Sequence, residues 1–83
     1  MKTVVKIINI FSFDDKYIFD AQIIEGNTLL KGHVFSNTEK NLSFEIISVG
    51  MSKSIQKENF PLIVDIGKAD MKDFENIFFE RII

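Results

Sequence analysis

Few residues of this chain have side chains suited to acid–base or metal chemistry. His33 is the single histidine among 83 residues, and the sequence has no cysteine. A general base needs partners within hydrogen-bonding reach, and no motif supplies them to His33. Two aspartate pairs, Asp14–Asp15 and Asp70–Asp73, have carboxylates that could bind a metal ion. A calcium loop, however, needs more oxygen ligands at regular spacing. We therefore predict a non-catalytic protein with no metal and no cofactor.

Aromatic side chains are the second candidate for chemistry, because bases of single-stranded nucleic acid can stack on them. Nucleic-acid platforms interleave aromatic and basic residues, whereas Phe11, Phe13, Phe19 and Phe44 lie in strongly apolar segments. We expect these four phenylalanines in the core. The 10 basic and 12 acidic residues give a net charge of -2, which also disfavours a nucleic-acid partner.

The C-terminal segment offers a possible protein-binding surface, formed by Phe78, Phe79 and Arg81. Adjacent residues of a strand point to opposite faces, so one of the two phenylalanines is expected to be exposed. An exposed aromatic residue beside an arginine would give a partner an apolar contact. The alternative is that this segment packs on both of its sides.

Alternation of apolar and polar residues predicts β-strands along most of the chain. The predicted strands cover residues 2–13, 17–25, 42–49, 61–66 and 77–83. Pro61 is expected to open its strand, because proline cannot donate to a ladder. In the strand 42–49 the apolar phase flips between Ile46 and Ile47, which predicts a β-bulge.

The segments between the predicted strands contain residues typical of turns and loops. Residues 14–16 and 36–41 are predicted turns, and 51–60 a loop with Ile55 as apolar anchor. Asp70 is placed to cap a short helical turn, and Asn76 to end it in the left-handed region.

The segment EGNTLLKGHVF (25–35) predicts a turn, a short apolar piece and a second turn. Gly32 is expected at positive φ, and Leu29 is expected to point inward and plug one end of a barrel. The predicted fold class is all-β: a small, mostly antiparallel barrel of six to seven strands with one short helical turn.

This segment resembles domain 2 of the translational GTPases of the elongation factor Tu type. That family has Gly-x-(Ile/Val/Leu)-x-x-Gly-Asp after a strand, and residues 27–33 have the same spacing, with Asn27 and His33 replacing the first glycine and the aspartate. The segments FEIISVGM, SIQKENFPLIVDIG and DMKDFENIFF are similar to later parts of that barrel, so the resemblance covers residues 17–82. The resemblance implies a β-barrel and a link to translation. The phosphate-binding loop of a GTPase domain is absent from the sequence, and no residue matches the pocket for aminoacylated tRNA.

Taken together, these features predict one domain spanning residues 1–83, in the cytoplasm. Lys6 and Asn9 interrupt the apolar N-terminus, which disfavours a signal peptide, and no run is long enough to span a bilayer. The leading function is a non-catalytic module that binds another protein. The alternatives are an RNA-binding or translation-associated accessory and a small inhibitor or immunity-type protein. The sequence does not specify the oligomeric state.

Overall fold

The structure is a computed structural model that describes residues 2–26, 29–50 and 59–83, without the side chain of Asn59. The predictions for Asn27 and Ile55 lie outside these residues. Six antiparallel strands close into a barrel, which confirms the predicted fold class. They are β1 (Val4–Phe13), β2 (Lys16–Glu25), β3 (Val34–Asn37), β4 (Leu42–Val49), β5 (Asn59–Asp65) and β6 (Phe78–Arg81). A 3₁₀ turn (Met71–Phe74) precedes β6, and no helix in the described ranges is long and apolar enough to cross a membrane.

The strands follow the order β1-β2-β5-β4-β3-β6 around the barrel, and β6 returns to β1. The closing seam pairs Val4 with Glu80 and Val5 with Phe79. Each strand therefore has a hydrogen-bonded neighbour on both sides.

The predicted bulge in β4 is present, because the register with β5 shifts between Ile46 and Ser48. A second shift lies in β1, between Ile7 and Asn9, where Ile8 is the extra residue. Such bulges bend a strand and help a small sheet to close.

Five phenylalanine rings pack together inside the barrel, among aliphatic side chains. Phe44 lies at its centre, with ring centroids 5.4 Å from Phe19, 5.4 Å from Phe35 and 5.1 Å from Phe79. Phe74, on the 3₁₀ turn, is fully buried and packs 5.1 Å from Phe19. Edge-to-face and offset contacts of this kind add to the stabilisation from apolar burial. Leu29 is 8% exposed and belongs to this core, as predicted.

Several turn predictions are confirmed, but the turn predicted over 36–41 covers only 38–41, because Ser36 and Asn37 belong to β3. Gly32 has a φ of +92°, and Asn76 has a φ of +63° after the 3₁₀ turn. The Asp70 side chain accepts a hydrogen bond of 3.0 Å from the Lys72 backbone N–H. Asp14 and Asp15 both have positive φ, as a two-residue hairpin turn requires.

Pro61 does not open its strand, because β5 already begins at Asn59. The Pro61 carbonyl accepts a hydrogen bond of 2.8 Å from the Gly50 N–H. The Pro61 nitrogen, which has no hydrogen to donate, lies on the same side of the strand and also faces Gly50. Gly50 lies just beyond the last residue of β4, and the β4–β5 register begins at Leu62. The proline thus occupies a position where the ladder needs no donor.

Candidate protein-binding surface

The three residues predicted as a surface do not lie together. Phe79 points into the barrel and is 1% exposed, so its side chain has almost no surface to offer a partner. Phe78 points outward from the same strand and is 49% exposed. Arg81 shares the inward direction of Phe79, since it lies opposite the buried Phe35, but it is exposed where β6 ends. Alternation along β6 thus places Phe78 on the face opposite to Phe79 and Arg81.

Phe78 contributes to a small mixed surface on β6 and its neighbours. The Lys6 Nζ lies 5.5 Å from the centre of the Phe78 ring, a cation–π geometry. A shallow depression of about 350 Å³ beside the ring is bordered by Lys2, Glu39 and Glu80. This wall exposes Phe78 and Ile82 among charges of both signs.

Arg81 instead meets His33. The Arg81 Nη1 lies 3.4 Å from His33 Nε2, and the Leu30 backbone N–H donates to Nδ1 at 3.3 Å. Burial, and then the nearby guanidinium, lower the pKa of His33. When Nδ1 accepts from Leu30, a neutral ring carries its proton on Nε2, so Arg81 Nη1 and Nε2 are then two donors in close approach. A second proton on the ring would lose the Leu30 hydrogen bond and add a positive charge beside the guanidinium, so both neighbours favour the neutral imidazole.

A larger apolar surface lies on the outer wall of β1, β2 and β5. Phe11 pairs with Ile18, and Ile18 pairs with Ile63, so these three side chains form one row across three strands. Phe13 lies two residues beyond Phe11 on the same face, and Ile47 borders the other end of the row. We call these five residues the apolar strip: Phe11, Phe13, Ile18, Ile47 and Ile63.

The strip is accessible. Phe13 is 71% exposed, Phe11 54% and Ile47 41%, whereas Ile18 and Ile63 are half-buried between them. A shallow depression of about 270 Å³ lies at Ile47 and Ile63, bordered by Asp15 and Lys16. A continuous exposed apolar row of this kind is typical of a surface that contacts another molecule.

The expected core positions of Phe11 and Phe13 are therefore wrong, although Phe19 and Phe44 are buried as predicted. The cause is the bulge at Ile8. Val5 and Ile7 point inward before it, and Ile10 points inward after it, so Phe11 and Phe13 point outward. Because Ile8 lies between Ile7 and Ile10, apolar residues occupy both faces of this run and the sequence pattern does not show the flip.

The other sequence candidates serve local structure. Asp14 and Asp15 form the hairpin turn, and Asp70 caps the 3₁₀ turn. Within residues 2–26, 29–50 and 59–83, no three histidine or carboxylate side chains lie close enough together to hold a metal ion.

Comparisons of the chain with protein-family models, curated proteins and solved structures found no match. A barrel of this size is shared by many unrelated proteins, so fold alone assigns neither ancestry nor function. The resemblance to the elongation-factor domain stays a prediction.

Proposed function

We propose that this protein is a non-catalytic module that binds another protein through the apolar strip. The observation that carries the proposal is the continuous row from Phe11 through Ile18 to Ile63, which leaves two phenylalanines more than half exposed. Aromatic side chains dominate the binding energy of protein interfaces when a partner covers them.

The position of the apolar strip determines how such a partner would bind. Every strand has a paired neighbour on both sides, although the pairing with β6 covers only Val4, Val5 and Lys6 of β1. Because the strip lies on the outer wall of the barrel, the proposed contact is made by side chains of that wall. Its energy would come from covering Phe11 and Phe13, each of which still has most of its area to bury.

The alternatives differ in how well the strip supports them. A small inhibitor or immunity-type protein is a special case of protein binding, and the same surface would serve it. An RNA-binding or translation-associated role is supported only by the family resemblance. The proposed cytoplasmic location is supported only by the absence of cysteine from the sequence.

The test is affinity capture from native lysate with three baits: wild type, Phe11→Ser and Phe78→Ser. Phe78 is a matched control, because it is the same residue type at nearly the same exposure but lies on β6, outside the apolar strip. Circular dichroism melting of each bait verifies that it is folded.

We expect wild type and Phe78→Ser to retain the same near-stoichiometric partner and Phe11→Ser to lose it. Truncation of a buried interface aromatic costs about 2 kcal/mol or more, which is roughly a 30-fold loss of affinity. Equal capture by all three baits, loss with Phe78→Ser instead, or no protein captured by wild type would refute the assignment.

A further inference from the structure

We infer that the partner presents a basic, apolar protein segment to the apolar strip. The inference rests on the proposed function and adds the chemistry of the partner. It depends on the charges around the strip, which we call the acidic rim: Asp14, Asp15, Asp20, Glu45 and Asp65.

Each rim carboxylate is placed by the same strands that place the strip. Asp14 and Asp15 follow Phe13 directly in the hairpin turn. Asp20 lies two residues along β2 from Ile18, on the same outer face. Glu45 and Asp65 pair across β4 and β5, and Asp65 borders the depression at Ile47.

The rim concentrates charge that the whole chain does not show. Among the residues that the structure describes, the five rim carboxylates and Lys16 give this surface a formal charge of -4, and the whole chain carries -2. The remainder of the chain therefore carries +2. The wall that exposes Phe11 and Phe13 thus has a formal charge more negative than that of the whole chain.

This distribution decides between possible occupants. A second copy placed strip to strip would bring two acidic rims together, and like charges facing each other across an interface weaken binding. Nucleic acid would place phosphates against the same carboxylates. A segment with two or more large apolar residues flanked by lysine or arginine would place its apolar residues on the strip and its positive charges against the acidic rim. Arginine can also pair with a carboxylate through two hydrogen bonds.

The experiment is selection of random 12-residue peptides, displayed on phage, against immobilised wild-type protein, followed by binding of the enriched peptides to variants. We expect the enriched peptides to carry net positive charge and at least two large apolar residues. We expect Phe11→Ser to lose them and Phe78→Ser to keep them.

A charge-matched pair of variants isolates the rim. Replacing Asp15 and Asp20 by Asn and Glu45 by Gln neutralises three rim carboxylates. Replacing Glu39, Glu75 and Glu80 by Gln makes the same charge change at exposed positions outside the rim. At 150 mM salt the rim variant should weaken the enriched peptides about tenfold, and the control variant less than twofold.

Three results would overturn the inference. Peptides that need Phe11 but are neutral or acidic would refute the basic partner and leave the protein-binding proposal standing. Peptides that bind Phe11→Ser as well as wild type, or no enrichment at all, would count against both. Equal effects of the two charge variants would show that only net charge matters and not the rim.

Discussion

At the scale of single residues, the neighbours of His33 favour the neutral form of its side chain. Its Nδ1 accepts from the Leu30 N–H, and its Nε2 faces Arg81. Protonation would place a proton on Nδ1 against the Leu30 donor and a positive charge beside the guanidinium. Burial and Arg81 accordingly lower the His33 pKa below its usual value of 6.5.

This arrangement predicts a pH dependence of stability. Because the folded state holds the pKa below the unfolded value, it binds fewer protons, and its stability falls as pH drops through about 6.5. Melting temperatures at pH 7.5 and 5.5 should differ more for wild type than for His33→Gln. NMR titration of the single imidazole should give a pKa that rises toward 6.5 in Arg81→Gln. An unchanged pKa in that variant would contradict the role of Arg81.

At the scale of strands, alternation predicted the fold better than it predicted the surface. The bulge in β4 was visible because Ser43 and Glu45 mark the outward face before Ile46. In β1 the run VVKIINIF has apolar residues on both faces, so the pattern did not show where its phase changed. For this reason the sequence did not predict the apolar strip, because exposed apolar residues need not recur at a fixed spacing.

Strand alternation also predicts that substitutions at two neighbouring residues lower the stability of the protein by very different amounts. Phe79→Ala empties a fully packed core position and should destabilise the protein by about 3–5 kcal/mol. Phe78→Ala removes an exposed ring and its contact with Lys6, and should cost about 1 kcal/mol or less. Urea unfolding measures both. If Phe79→Ala does not fold, Phe79→Leu provides the core comparison. Equal costs at the two positions would show that β6 does not face the core as described.

At the scale of the whole molecule, the small net charge hides an uneven distribution. One wall carries the five rim carboxylates, whereas the formal charges of the other residues of the chain sum to +2. Composition alone gave the sum but not the arrangement, because the arrangement depends on how strands distant in sequence are brought side by side.

This charge distribution predicts weak binding to RNA. Non-specific association depends on basic side chains that neutralise phosphates, and a remainder of net charge +2 provides few of them. Fluorescence anisotropy with a generic single-stranded RNA at 150 mM salt should show no binding tighter than about 0.1 mM. Micromolar affinity that weakens as salt is raised would instead favour the RNA-binding alternative.

The seam between β1 and β6 has a consequence for how the barrel assembles. It joins Val4 to Glu80 and Lys6 to Phe78, so closure links strands from opposite ends of the described chain. Contacts of such large sequence separation raise the contact order, and barrels with many of them fold in milliseconds to seconds. During synthesis, β1 and β2 can pair as a local hairpin as soon as both have emerged. The other edge of β1 must wait until β6 has been made, and until then it stays open to wrong partners.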